Sequence, residues 1–95
     1  MLLHLVCFKY KAEVDQATRV NHRERLRTLA ILDGIVDLKV GADVVGSARS
    51  YDTGLSVTFT NRAALDAYAK DPRHIPVAQF GAGISEHVVS CDFEI

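Results

Sequence analysis

Four histidines carry most of the chemistry open to this 95-residue chain: His4, His22, His74 and His87. Imidazole titrates near neutral pH and serves as general base, general acid or metal ligand. Metal binding wants paired donors at short fixed spacing. Here no two histidines stand four residues apart and no Cys-x-x-Cys accompanies them, so no metal site is expected. Ser47, Ser50, Ser56, Ser85 and Ser90 offer hydroxyls, but none sits in a nucleophile-elbow pattern. Cys7 and Cys91 lie inside apolar runs, a setting that disfavours a thiolate nucleophile and suits a small hydrophobe. Gly81 and Gly83 follow a loop rather than a strand, so no phosphate cradle is expected. Acid–base or binding chemistry remains, and no cofactor is implied.

Those side chains must be placed by a small set of elements. Leu2 to Tyr10 reads as a strand with one face of Leu2, His4, Val6 and Phe8 and another of Leu3, Leu5 and Cys7. Both faces are apolar, as in the middle of a sheet covered by two layers. His4 on such a face reads either as a satisfied core histidine or as the lining of a pocket. Asp15 suits the N-cap of a helix to about Leu32, with Ala17, Val20, Leu29 and Leu32 among its apolar positions; Asp33-Gly34 stops it. A second strand runs from Ile35 to about Val45 and a third from about Asp52 to Thr60, joined by the polar Gly46 to Ser50 loop. In the third, Gly54, Ser56 and Thr58 share one face and leave room for a close approach.

Asn61 caps a short helix from Arg62 to about Lys70, with Ala64, Leu65 and Tyr68 as its inward stripe. Asp71-Pro72 ends it. Arg73 to Gly83, with Pro76, Gly81 and Gly83, reads as irregular or briefly helical. A last strand from Glu86 to Ile95 alternates, with Val89, Cys91, Phe93 and Ile95 expected inward and Ser90, Asp92 and Glu94 outward. His87 at its start and His22 on the charged helix are expected at the surface.

The order β, α, β, β, α, β over residues 1–95 is a single α+β domain of ferredoxin-like, split βαβ type, with a four-stranded antiparallel sheet. A chain this short buries roughly 60 to 65% of its unfolded-state surface, which favours a second subunit. The two-sided apolarity of the first strand points the same way, toward a homodimer paired sheet to sheet. Eleven basic against twelve acidic residues leave a net charge of −1. Arg19, Arg23, Arg25 and Arg27 spread around a solvent-facing arc, so nucleic acid is not an expected partner. No segment approaches the roughly 18 apolar residues of a membrane span. Two unpaired cysteines fit a reducing, cytoplasmic setting.

Several segments together resemble the stress-responsive α/β-barrel (Dabb) family. They are Leu3-His4-Leu5-Val6-Cys7-Phe8-Lys9-Tyr10-Lys11, Leu38-Lys39-Val40-Gly41, Tyr51-Asp52-Thr53-Gly54-Leu55, Leu65-Asp66-Ala67-Tyr68 and Asp71-Pro72-Arg73-His74, with Val88 to Glu94 at the end. The resemblance covers roughly residues 2 to 95 and implies a ferredoxin-like subunit pairing into a dimeric α/β barrel. One branch of the family is similar to olivetolic acid cyclase, a cofactor-free enzyme that closes a linear polyketide by an aldol-type condensation. Its reactive tyrosine and two histidines match Tyr68, His74 and His4. This chain departs from many relatives in carrying Asp71 before Pro72 and a second proline in Ile75-Pro76-Val77.

The resemblance therefore implies candidate catalytic residues His74 and Tyr68, one taking a carbon-bound proton and the other donating to an enolate oxygen. The alternative is that His74 anchors the turn after Pro72 and Tyr68 fills the core. His4, Val6, Phe8 and Leu65 are the candidate ligand-binding residues. Three functions are open: a homodimeric domain binding a small, largely apolar or aromatic molecule, a cofactor-independent cyclase or isomerase, and a structural domain without ligand.

Overall fold

The computed structural model describes residues 1–95. Strand β1 (Leu2–Tyr10) leads to helix α1 (Gln16–Arg27) and a tight helical turn at Thr28–Ile31. Then come β2 (Ile35–Ala42), β3 (Thr53–Phe59), α2 (Arg62–Lys70), α3 (Ile75–Ile84) and β4 (Ser85–Glu94). The sheet order is β2-β3-β1-β4 and every neighbouring pair is antiparallel, the ferredoxin-like arrangement with β1 and β3 at the centre. None of the helices is long and apolar enough to cross a membrane.

Local chemistry explains the element ends. The Asp15 carboxylate accepts from Thr18 N at 2.8 Å, and the Asn61 side chain accepts from Ala64 N at 2.9 Å. Each satisfies an orphan amide of a helix N-terminus. α1 stops at Arg27, earlier than Leu32, where Thr28 Oγ1 donates to Arg25 O at 2.6 Å and the chain tightens. Gly34 follows with φ +83°, and a Cβ there would meet the Ala64 Cβ at 2.5 Å, so both conformation and space demand glycine. β2 ends at Ala42 rather than Val45 because the Asp43 side chain folds back to accept from Val45 N and Gly46 N. Val44 and Val45 are left on an exposed loop.

The segment after Pro72 differs most from its expected irregular form. Residues Ile75–Ile84 make a ten-residue helix. Pro76 sits in its first turn, where no amide donor is needed, so it starts the helix instead of breaking it. Gly81 is required for another reason: a Cβ on it would lie 2.7 Å from His22 Nε2 and 3.2 Å from Phe8 Cε2.

All helices cover one face of the sheet. Leu2, Val6, Phe8 and Tyr10 of β1, Leu55, Val57 and Phe59 of β3, and Leu26, Leu29, Leu32 and Tyr68 from the helical layer form the buried core. α1 supplies a polar stripe as well. His22 and Arg23, expected at the surface, are both buried, whereas Val20 is 41% exposed. The polar stripe can face inward because Tyr10 and Thr53 receive it, partners that periodicity along the helix does not reveal.

The other sheet face is uncovered. Ladder partners point the same way, and the register sets Leu3 against Phe93, Leu5 against Cys91 and Cys7 against Val89. Val89, Cys91 and Phe93, expected inward, therefore lie with Leu3, Leu5 and Cys7 on the open face. Val88, Ser90 and Asp92, paired with Phe8, Val6 and His4, are on the helix side. Alternation had the right period, but nothing in β4 alone tells which set meets the helices.

Candidate functional site

A cavity of about 250 Å³ lies between the sheet and the helical layer. β1 contributes His4, Val6 and Phe8 to it, alternate residues on its helix-facing side, and β3 contributes Leu55. α1 supplies Leu26, α2 supplies Tyr68, and Val88 and Ser90 come from β4. The remaining wall is α3 and the residue just before it: His74, Val77, Ala78 and Ala82. No lysine or arginine lines this cavity, and its polar groups are the two imidazoles, the phenol and a serine. Leu65 is placed elsewhere. It sits one turn before Tyr68 on α2 and packs half-buried against the core without reaching the cavity wall.

The aromatic groups form a chain across one end. Tyr68 is buried, with its ring edge-on to Phe59 at 5.0 Å and tilted 40° over His74 at 4.1 Å between centroids. The His4 ring stands 6.1 Å from Tyr68 and 6.2 Å from Phe59. Burial pushes the Tyr68 hydroxyl up to about 12, so it stays a proton donor throughout the neutral range. Burial also holds His74 below the usual histidine value, and nearby His4 pushes in the same direction. The backbone at Ala69 and the Asp71 carboxylate work against them. His74 Nδ1 is buried without a hydrogen-bond partner. A neutral, incompletely bonded imidazole beside a protonated phenol results.

His4 is held differently. Its Nδ1 is hydrogen-bonded to the Asp92 carboxylate, its direct register partner on β4. A carboxylate accepts but does not donate, so Nδ1 carries the proton and Nε2 bears the lone pair in the neutral ring. The site thus holds an imidazole oriented by Asp92 with no hydrogen bond at Nε2, a second imidazole whose charged form burial disfavours, and a phenol kept protonated. Such a set can move a proton to or from a carbon acid or bind a carbonyl oxygen.

Asp92 and Ser90 were missed because β4 was expected to turn them outward. The signal that could have found Asp92 is the pairing of β1 with β4 in register. No group of three or more His, Cys, Asp or Glu side chains converges as a metal would require.

A second polar cluster lies deeper. The Tyr10 hydroxyl is 2.6 Å from His22 Nδ1 and donates to Thr53 Oγ1 at 2.8 Å, and Arg23 Nη1 donates to the same oxygen at 3.0 Å. With the tyrosine proton given to Thr53, His22 Nδ1 is the donor to the phenol and Nε2 is bare. That Nε2 is buried against Gly81 with no partner. Burial, then Arg23 and Arg25, lower His22 to about 4.

Solved structures resembling this chain agree on its architecture. A dimeric ferredoxin-like protein of unknown function from Jannaschia sp. CCS1 is 28% identical, with 99% of this chain and 98% of that one covered at a TM-score of 0.84. A dimeric ferredoxin-like protein of unknown function from Thermobifida fusca YX, 20% identical, matches 99% of this chain and 90% of its own at a TM-score of 0.90. The hydroxynitrile lyase from Passiflora edulis, 19% identical, matches 99% and 92% at a TM-score of 0.88. A comparison with curated protein sequences finds no match. The sequence pattern of the Stress responsive A/B Barrel Domain, Dabb, matches residues 2–95, and the chain belongs to that family.

Proposed function

We propose that the chain is a homodimer, paired through its open sheet face, that binds a small, largely apolar molecule in the cavity on the other face. The observation that carries the binding half is the cavity itself: aliphatic and aromatic walls, with His4, Tyr68 and His74 gathered at it. Apolar enclosure with a few convergent polar groups is the usual character of a small-molecule site. The pairing half is supported by Leu3, Leu5, Phe93 and Val89 on an uncovered face, and by the dimeric state of two proteins of the same fold.

A second reading, cofactor-independent proton transfer of lyase, cyclase or isomerase type, is favoured by one further observation, the bonding of His4 to Asp92. Leaving Nε2 as the free nitrogen prepares a base, and Tyr68 is kept as the acid. A protein of this fold bears the name hydroxynitrile lyase; at 19% identity the likeness carries the fold alone, and the reading rests on the residues.

The test is a thermal-shift screen against aromatic and apolar carbonyl compounds, run beside Tyr68→Phe and His74→Ala. A compound that raises the melting temperature of the wild type and not of the variants supports the site, and turnover of that compound supports the enzyme reading. No stabilisation by any compound, in a protein that light scattering shows to be a folded dimer, would leave a structural domain as the better account.

A further inference from the structure

A second, smaller pocket of about 170 Å³ opens on the far side of the buried Tyr10 cluster. Gln16, Arg19 and Arg23, three and four residues apart on one stripe of α1, form one wall, and Ala42, Asp43 and Asp52 form the other. Arg23 is only 9% exposed, and buried arginines are almost always paired with an anion. This one has no carboxylate within ion-pair distance and makes a single side-chain hydrogen bond, from Nη1 to Thr53. Arg23 also lines the pocket, and none of its other side-chain donors makes a hydrogen bond within the protein.

Neither acidic residue pairs with Arg23, because each is engaged by other groups. Asp52 Oδ2 accepts from Tyr10 N at 2.8 Å, while its Oδ1 lies 3.7 Å from Lys9 Nζ and 3.8 Å from Arg19 Nη1. Asp43 Oδ2 accepts from Val45 N and Gly46 N. The pocket wall carries two arginines and two carboxylates, but Asp52 is shared by Lys9 and Arg19, so the Arg23 guanidinium is the cation left without a carboxylate.

We propose that this pocket is a binding site for a small monocarboxylate, seated on the Arg23 guanidinium with Arg19 beside it. A carboxylate matches the planar two-donor edge of an arginine, where a bidentate pair forms. One unpaired guanidinium suits a monoanion, and the neighbouring carboxylates of Asp43 and Asp52 oppose a phosphate dianion. At about 170 Å³ the pocket suits a small ligand, since drug-sized sites run from roughly 300 to 1,000 Å³. The site is separate from the apolar cavity, which has no cation in its wall.

The test follows the side-chain Nε–Hε resonances of Arg23 and Arg19 in ¹⁵N-labelled full-length protein during a sodium acetate titration at neutral pH. Sodium chloride is exchanged out to hold ionic strength constant. Acetate is expected to shift Arg23 saturably, and Arg19→Gln, which also gives up the contacts of Arg19 with Asp52, Val14 O and the Tyr10 ring, to weaken acetate about tenfold in a protein whose circular dichroism shows the fold retained. Inorganic phosphate is expected to bind more weakly than acetate. A linear, non-saturating shift, wild-type affinity in Arg19→Gln, or tighter binding of phosphate than of acetate would each overturn the proposal.

Discussion

The ring of His74 lies 4.1 Å from that of Tyr68, centroid to centroid, at an angle of 40°. The tyrosine is carried by α2 and the histidine by the turn that begins α3, so the contact joins two separate elements. Tyr68 also packs on Phe59, which ties one candidate site residue to the centre of the core. Tyr68→Phe is therefore expected to leave stability within about 1 kcal/mol of the wild type, whereas Tyr68→Ala should cost about 3 to 5 kcal/mol. Chemical denaturation measures both. A large loss in Tyr68→Phe would assign the hydroxyl a structural bond.

Asp92 is expected to set the tautomer of His4. In the wild type, ¹⁵N shifts of the imidazole should show the proton on Nδ1 and a bare Nε2. Asp92→Asn, whose amide can donate to Nδ1, should raise the fraction protonated on Nε2. An unchanged tautomer ratio would remove Asp92 from the argument about the base.

The open sheet face makes a prediction about assembly. Phe93 is 42% exposed there, beside Leu3 on β1. Phe93→Asp is expected to turn a dimer into a monomer, read by light scattering at several concentrations, because a lone carboxylate buried between two apolar sheets is strongly disfavoured. A variant that remains dimeric would place the interface elsewhere.

Stability should depend on pH through His22. The folded protein keeps this imidazole neutral, lowered to about 4, while an unfolded chain titrates it near 6.5. As pH falls, the unfolded state takes the proton first. The contribution is complete above about 6.5, declines from there to about 4, and flattens below, with a total on the order of 3 kcal/mol. His22→Gln should be less stable at neutral pH and show a shallower decline across that window. An equally steep decline would assign the dependence to other groups, His74 among them.

Gly81→Ala tests the contact that makes α3 fit. The added methyl would meet His22 Nε2 and Phe8, both fixed in the interior, and about 1 to 3 kcal/mol of destabilisation is expected by denaturant titration. A neutral effect would mean that α3 is free to move away from the sheet.

Much of this architecture was legible in the residues. The apolar run of Leu2, Val6 and Phe8 marked the face of β1 that the helices cover, Asp15 and Asn61 marked helix starts, and Gly34 marked a stop. Each is a local signal with a local cause. Three features were not legible because their causes are remote in sequence. Pro76, Gly81 and Gly83 look like helix breakers, yet Pro76 occupies a first turn and Gly81 answers to His22. His22 and Arg23 look like surface residues until Tyr10 and Thr53 are brought beneath them. The alternation of β4 was plain, but which half of it joins His4 is decided by register with β1. At the site, Tyr68, His74 and His4 were reached through resemblance to relatives, and Asp92 was not reached at all.

The alternation of β1 has an engineering consequence. Odd-numbered Leu3, Leu5 and Cys7 and even-numbered His4, Val6 and Phe8 sit back to back across a wall one strand thick. Substitutions of one parity can be screened for altered cavity shape while the other parity is left untouched, so the two faces form separately adjustable libraries on a nine-residue segment. The same arrangement makes the strand intolerant of indels. Inserting a single residue early in β1 would exchange the roles of Leu3 and His4 and reverse every position after them, carrying an imidazole out of the cavity and a leucine into it.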